Sequence, residues 1–388
     1  ELLFNKATLN SVKTARGLHI EADEKVYCNV RVRSNSNSQA GSLTTKGRQA
    51  LGKSFRIGHY FNAQAYNQWW MPPEIANKSS FVGVMATEDG TTVTYDLTWK
   101  KPKLEGNSPE NTNSTFDITL DKGETYVIAI HNQKHANNVG KGMIGSLISS
   151  NKPIAVNCGS WGGNRRDDNT VDIGIDQIVP TSKLGTEYIA VRGASNNNID
   201  ERVIIVAHEN NTEVYVKGQA TPIATIATAG GHYEINGSHY GAARAMYIET
   251  SKPAAAFQFM MGKDADFFRS QGMNFLPPIN CQLASGVNNI PDISKIGTRT
   301  YGGAVSIVTL QGSSISITQN GNPVAAGAPT VIPGSNYVYY KKTGLSGEVA
   351  IQTNSVALIS LVGQNADAGY GGFFTGFDLP QVAQSGTC

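Results

Sequence analysis

The residues best suited to binding chemistry sit together in HYFNAQAYNQWWMPPE, residues 59–74. Tyr60, Phe61, Tyr66, Trp69 and Trp70 supply flat rings of the kind that stack on sugars and anchor protein contacts. The stretch falls between two strand-like runs, and its counterpart in the next copy, GASNNNID, is much shorter. An insertion in one copy of a repeat maps to a surface loop, so these five residues are read as a ligand-binding loop. The competing reading is a pair of tryptophans capping an open end of the core. The second candidate is GGNRRDDNTVDIGID, where Asp167, Asp168 and Asp172 could hold Ca²⁺, with Asp176 close by. Asp264, Asp266 and Asp367 mark the same place in later copies. The spacing is not that of an EF-hand, and Arg165 and Arg166 could neutralise the charge, so a structural Asp turn competes with calcium.

Other constellations carry less. His131 and His135 have metal spacing for a helix face, but HNQKH follows a strand and lacks the Glu of H-E-x-x-H, which reads as a solvated loop. Cys158-Gly159-Ser160-Trp161-Gly162 does not meet the G-x-S-x-G spacing of a nucleophile elbow. No paired Glu residues stand in a glycosidase-like context. Lys100, Lys101 and Lys103 read as a solvated basic loop. Cys28, Cys158, Cys281 and Cys388 form neither C-x-x-C nor a zinc spacing, and disulfides and buried thiols both stay open. The expectation is a protein that is not an enzyme.

The elements that position these residues are repeated. Three marks recur about every hundred residues. The first is a tight polar turn between strand-like runs, at Asp89-Gly90, Asn210-Asn211 and Gln311-Gly312. The second is Gly-x-x-Tyr in a further hairpin, at Gly123, Gly230 and Gly334. The third is strand, turn, strand: SLISSNKPIAVNCG, MYIETSKPAAAFQFMMG and VAIQTNSVALISLVG. GLHIEADEKVYCNVRV matches the third mark alone. The division is a partial repeat over 1–50, then repeats over 51–180, 181–290 and 291–388, as one unit without flexible linkers. Joints recur at Ile178-Val179-Pro180 and Ile290-Pro291. Short alternating runs bounded by Gly, Asn, Asp and Pro predict an all-β chain. Its repeats of about a hundred residues either close into a β-propeller-like array of half-copy blades or form tandem β-sandwiches.

Composition excludes several classes. With 388 residues, 40% hydrophobic and 16% charged, the chain has a folded composition. A net charge of +2 provides no basic field for nucleic acid. No apolar stretch is long enough to span a membrane. Glu1 falls within a repeat, so the chain reads as a piece of something longer.

GSLISSNKPIAVNCGSWGG, VDIGIDQIVPTSKLGTEYIAVRG, NFLPPINC with VNNIPDISKIGTRTY, and AGYGGFFTGFDL together carry a resemblance over most of residues 17–380. The chain resembles the IgGFc-binding protein N-terminal-like domain, most of all the form in very large secreted surface proteins of gliding Bacteroidota. The resemblance implies export by type IX secretion, a place at or outside the cell surface, and a role in adhesion, including gliding motility. Partners implied are a surface glycan or protein ligand and type IX secretion components. No catalytic set comes with the resemblance. Two further readings stay open: a structural module binding a protein in a secretion or gliding assembly, and a polysaccharide-active hydrolase.

Overall fold

β-Branched and aromatic residues alternate with polar ones between closely spaced turn formers, and the chain folds as all-β, with almost no helix among the described residues. The computed structural model describes residues 9–24, 26–35, 39–60, 79–98, 102, 104, 115–131, 142–163, 172–193, 201–261, 270–279, 283–365 and 368–375. A leading pair comprises β1 (Asn29–Arg33) and β2 (Ala40–Thr44). Next come β3 (Gly52–Arg56), β4 (Ser79–Ala86), β5 (Thr91–Asp96), β6 (Thr115–Leu120), β7 (Thr125–His131), β8 (Leu147–Gly163) and β9 (Asp172–Ile178). A second group follows: β10 (Gly185–Val191), β11 (Arg202–Ala207), β12 (Thr212–Val216), β13 (Ala224–Ile226), β14 (His232–Ile235), β15 (Ala245–Met261) and β16 (Ser270–Phe275). The third opens with β17 (Gly286–Ile290), β18 (Lys295–Ile296), β19 (Arg299–Thr300), β20 (Gly302–Leu310), β21 (Ile315–Gln319) and β22 (Asn322–Val324). It closes with β23 (Thr330–Val331), β24 (Tyr337–Thr343), β25 (Val349–Thr353), β26 (Leu358–Asn365) and β27 (Ala368–Phe373).

The first full group is one seven-stranded sheet, in the order β6-β5-β8-β4-β7, with β3 and β9 also on β8. The second has the same order seven strands later: β13-β12-β15-β11-β14, with β10 and β16 on β15. The 17-residue β8 serves both halves of its sheet. Its first part pairs with β3 and β5, and its second with β4 and β9. The third mark is therefore a single bent strand in the first two groups, where the sequence suggested strand, turn, strand. Only in the third group do two strands, β25 and β26, take its place, in separate sheets. In the first two groups the half-copies are accordingly not separate four-stranded blades, whereas the third group divides into a four-stranded and a five-stranded sheet.

The tight turns are not hairpins in any of the three groups. β4 and β5 both pair with β8, and the turn at Asp89-Gly90 crosses from one half of the sheet to the other. The local turn chemistry was legible, but the ladder partner is a distant strand. The three marks meet in space at this end. Asp89 Oδ1 accepts from Lys122 N, and Asp121 Oδ1 from Gly90 N, at 2.9 Å each. Lys152 Nζ donates to Asp89 O, as Lys252 Nζ does to Asn210 O. Asn151, Ser251 and Asn354 each accept from the first strand after the turn, at Thr92 N, Glu213 N and Ser314 N.

Cores are shared between neighbouring sheets. Phe257, Phe259, Met273 and Phe275 of the second sheet complete the core of the first. Val308, Tyr339 and Leu358 of the third group complete that of the second. Ala40 of β2 lies in the core of the third group, and Leu43 packs with Phe81 and Ile173 of the first. The last strands β2, β9, β16 and β27 thereby pack on one another in cyclic order. At the joints, Pro180 sits on Gly52 and Pro278 on Gly185, so Pro278, not Pro291, is the structural counterpart of Pro180. Ile290 ends β17, which pairs with β25 inside the third group.

The Gly-x-x-Tyr glycines separate a turn requirement from a packing requirement. Gly123 (φ 82°) and Gly334 (φ 79°) both occupy left-handed backbone. Space is open around Gly123, whereas a Cβ on Gly334 would lie 2.2 Å from the backbone of Lys217 in the preceding group. Gly123→Ala should cost about 1 kcal/mol, the left-handed penalty alone. Gly334→Ala should cost a further 1–3 kcal/mol or so, because backbone must move. Urea denaturation of both variants measures the difference, and equal costs would contradict this packing.

Candidate binding rim

The end of each sheet opposite the interlocked turns is where the long connections leave. β4 begins at Ser79, which pairs with His131 at the end of β7, while Ser80 pairs with Ser160 near the end of β8. Gly163 pairs with Asp172 at the start of β9. The described residues that flank 61–78, 132–141 and 164–171 therefore share one edge. An isolated bridge between Leu104 and Ile130 brings the connection after β5 to the same end. In the second group, Gly193 and Glu201 flank residues 194–200, and Met261 pairs with Ser270 across 262–269. Asn365 pairs with Ala368 in the third. The segments carrying the aromatic and the acidic candidates thus spring from a common rim.

Phe61, Tyr66, Trp69, Trp70, Asp167, Asp168, Asp264, Asp266, Asp367, His135, Cys281 and Cys388 lie outside the described residues. Tyr60 is a correction to the expected surface aromatic. It is fully buried, with its ring stacked on Phe259 at 4.7 Å, and anchors the segment in the core shared with the second sheet. Asp172 is a second correction. It is fully buried, with Oδ1 accepting from Ala40 N at 2.8 Å and Oδ2 from Gly369 N at 3.1 Å. This carboxylate ties β9 to β2 and β27 and is engaged on both oxygens, which suits a structural role rather than a calcium loop. Among the described residues, no group of three or more His, Cys, Asp or Glu could hold a metal ion.

Asp176 performs a similar task from the same strand. Its Oδ1 meets Lys46 Nζ at 2.7 Å and Gln177 N at 2.8 Å, and Oδ2 accepts from Phe275 N at 2.9 Å. Lys46 and Asp176 side chains are only 7% and 4% exposed. Burial pushes the Asp176 carboxyl above its ordinary range, and Lys46 and the amides counter part of that rise.

The feet of the rim are held by buried polar groups. Nδ1 of the fully buried His59 lies 2.7 Å from Tyr60 O, and Nε2 lies 3.2 Å from Met143 N. A neutral ring that donates from Nδ1 and accepts at Nε2 satisfies both contacts, and burial lowers its pKa to about 4. The pair joins the feet of 61–78 and 132–141. Ser80 and Ser160 share a buried hydroxyl contact of 2.8 Å, so Ser160 is engaged. Burial pushes the Cys158 thiol up to about 12, which makes it an unreactive core residue.

In the second group, both oxygens of buried Glu201 accept from Gly193 N at 3.0 Å, and Oε1 also accepts from Gln258 Nε2 at 2.9 Å. Arg192 donates to Gly237 O and lies over the Tyr240 ring. Lys341 of β24 donates to the carbonyls of Arg192 and Gly193, which binds the third group to this foot. Sequence reading missed Lys46, Arg192, Glu201, Gln258 and Lys341. Glu201 left one trace, a charge directly before β11, whose apolar run begins at Val203.

A family model for the IgGFc binding protein matches residues 40–363, from the first residue of β2 into β26. The chain belongs to the IgGFc binding protein family. No curated protein matches it. Membership points to an extracellular binding module, and members of the family are typically extracellular. Among the described residues no helix is long and apolar enough to cross a membrane. The family match includes His59, Ser80, Ser160, Asp172 with its partner Ala40, Glu201 and Lys341.

Two outcomes follow for this IgGFc binding family chain. Asp176→Ala leaves the Lys46 ammonium buried without its partner and should cost about 3–5 kcal/mol, with Lys46→Met on that background recovering part of it. A double-mutant cycle by urea denaturation checks this, and no recovery would show that the pair is not the source of the loss. For His59, a folded pKa of about 4 lies below the usual 6.5, so its contribution is complete above pH 6.5. It falls away as the pH drops towards 4, by up to about 3 kcal/mol. Stability against pH should flatten across that window in His59→Gln, and an unchanged profile would refute it.

Proposed function

We propose that this chain is a non-enzymatic adhesion module of a bacterial cell-surface protein exported by type IX secretion. In this reading its sheets are arranged around the cyclic inner strands as a propeller-like array, and the rim contacts glycans or surfaces. The carrying observation is the asymmetry between the two ends. One end is closed by tight turns locked together by Asp89, Asp121 and Lys152. The long connections spring from the other, on feet fixed by His59, Asp172 and Glu201. Rigid feet under long connections are how binding surfaces are commonly built on β scaffolds. Residues 61–78 contribute Phe61, Tyr66, Trp69 and Trp70, whose rings provide stacking faces. Asp167 and Asp168 in the neighbouring connection would add acidic ligands, for calcium or for the sugar itself. The extracellular binding character of the family supports the reading.

Glycan and mucin arrays probed with the purified protein, in calcium and in chelator, test this. Saturable binding is expected. Trp69→Ala with Trp70→Ala should weaken it by about tenfold or more, as removal of central aromatic anchors commonly does, with the melting temperature unchanged. Unaltered binding in that variant would remove the aromatic segment from the site, and absence of binding in both conditions would overturn the glycan reading. Loss in chelator alone would assign Asp167 and Asp168 to a metal.

A further inference from the structure

The leading pair β1–β2 corresponds to the last two strands of each full group. The second part of β8 lies between β9 and β4, and that of β15 between β16 and β11. β26 likewise lies between β27 and β20. β1 has β2 on one side and, among the described residues, no strand on the other. All five of its residues are half-buried. The hydrogen bonds Thr45 N to Cys28 O and Ser34 N to Gln39 O fix which residues point towards β2. These are Cys28, Val30, Val32 and Ser34, because alternate residues of a strand point their backbone groups the same way. The N–H and C=O groups of Asn29, Arg31 and Arg33 therefore line the other edge, and none has a backbone partner among the described residues.

Two further observations mark this edge as a prepared one. Arg31 reaches the carbonyls of Pro291, Asp292 and Lys295, which clamps β1 to the third group. Shortly before β1, Val26 and Tyr27 are exposed large hydrophobics. Unpaired strand edges flanked by apolar surface are templates for another strand.

We propose that the free edge of β1 binds an antiparallel β-strand from a separate polypeptide segment, with the alternating apolar character of β4, β11 and β20. Those strands show what occupies the same edge elsewhere: SSFVGVMA, RVIIVA and GGAVSIVTL. Main-chain hydrogen bonds at Asn29, Arg31 and Arg33 provide the affinity, and alternate side chains the selection. Charge argues against a second copy of this chain. Twofold pairing of NVRVR centred on Arg31 would set Arg31 opposite Arg31, and pairing centred on Val32 would set Arg31 opposite Arg33, so of the three registers only the one centred on Val30 avoids facing arginines.

The probe is a fluorescein-labelled peptide with the sequence of residues 79–87, SSFVGVMAT, titrated by anisotropy into the protein. Saturable binding is expected, with new hydrogen-exchange protection at Asn29, Arg31 and Arg33. The peptide N-methylated at alternate residues should bind at least about tenfold more weakly, since each blocked hydrogen bond leaves a partner unmet. Arg33→Pro, which removes an edge donor and leaves the β1–β2 ladder intact, should weaken binding similarly with no change in melting temperature. Absence of binding, equal binding of the N-methylated peptide, or protection confined to other strands would overturn the proposal. So would protection of β1 that grows with protein concentration alone alongside dimer mass, because a second copy would then cover the edge.

Discussion

A strand whose inner edge is buried carries N–H and C=O groups that water does not reach, each costing roughly 1–3 kcal/mol if left unmet. The cyclic packing of β2, β9, β16 and β27 creates this problem four times over. Side chains of neighbouring inner strands resolve much of it. Leu276 N donates to Ala256 O within its own sheet, so Phe275 N points the opposite way, and Asp176 accepts from it. Asp172 accepts from the inner-edge amides of Ala40 and Gly369. Ser42 Oγ donates to Gly371 O, and Gln177 Oε1 accepts from Lys46 N. Two carboxylates on one strand thus connect it to all three of the others or their flanks. Apolar residues alone would bury those edges but could not satisfy them.

The same constraint divides labour between the two ends of the sheets. Near the bend of β8 and β15, short side chains and lysines cap turns locally, and the repeat marks are retained in sequence because each mark meets the other two there. At the rim, the connections differ in length from group to group. Their feet need anchors that do not depend on the connection itself, and buried His59, Asp172 and Glu201 meet that need with backbone partners. The connections can therefore differ from group to group above a fixed floor.

The alternation of apolar residues and the turn formers made the all-β class readable, and Gly90, Asn211 and Gly312 do adopt the positive φ that their turns require. What alternation cannot reveal is a ladder partner. A tight turn between two strands looks like a hairpin whether its strands pair with each other or with the two parts of β8. The pairing was decided by β8 and β15, each long enough to run through both halves of its sheet. Ile290-Pro291 looks like a second copy of the Pro180 joint for a similar reason. Pro291 follows a strand that pairs inside the third group, whereas Pro278 packs on the glycine that opens β10.

The candidate site was legible in its chemistry and not in its burial. The sequence by itself determined the all-β class, the recurring turns and which segments carry rings and carboxylates, because turn geometry and side-chain type are local properties. Only the tertiary structure decided that Tyr60 stacks inside a shared core, that Asp172 and Asp176 serve buried amides, and that Lys46, just after β2, pairs with Asp176 of the first sheet. The physical reason is that solvation of a carboxylate or a ring depends on neighbours far away in the sequence, 99 residues for Phe275 and Asp176 and 132 for Ala40 and Asp172. Those neighbours are set by how the sheets close on one another, which no local spacing encodes.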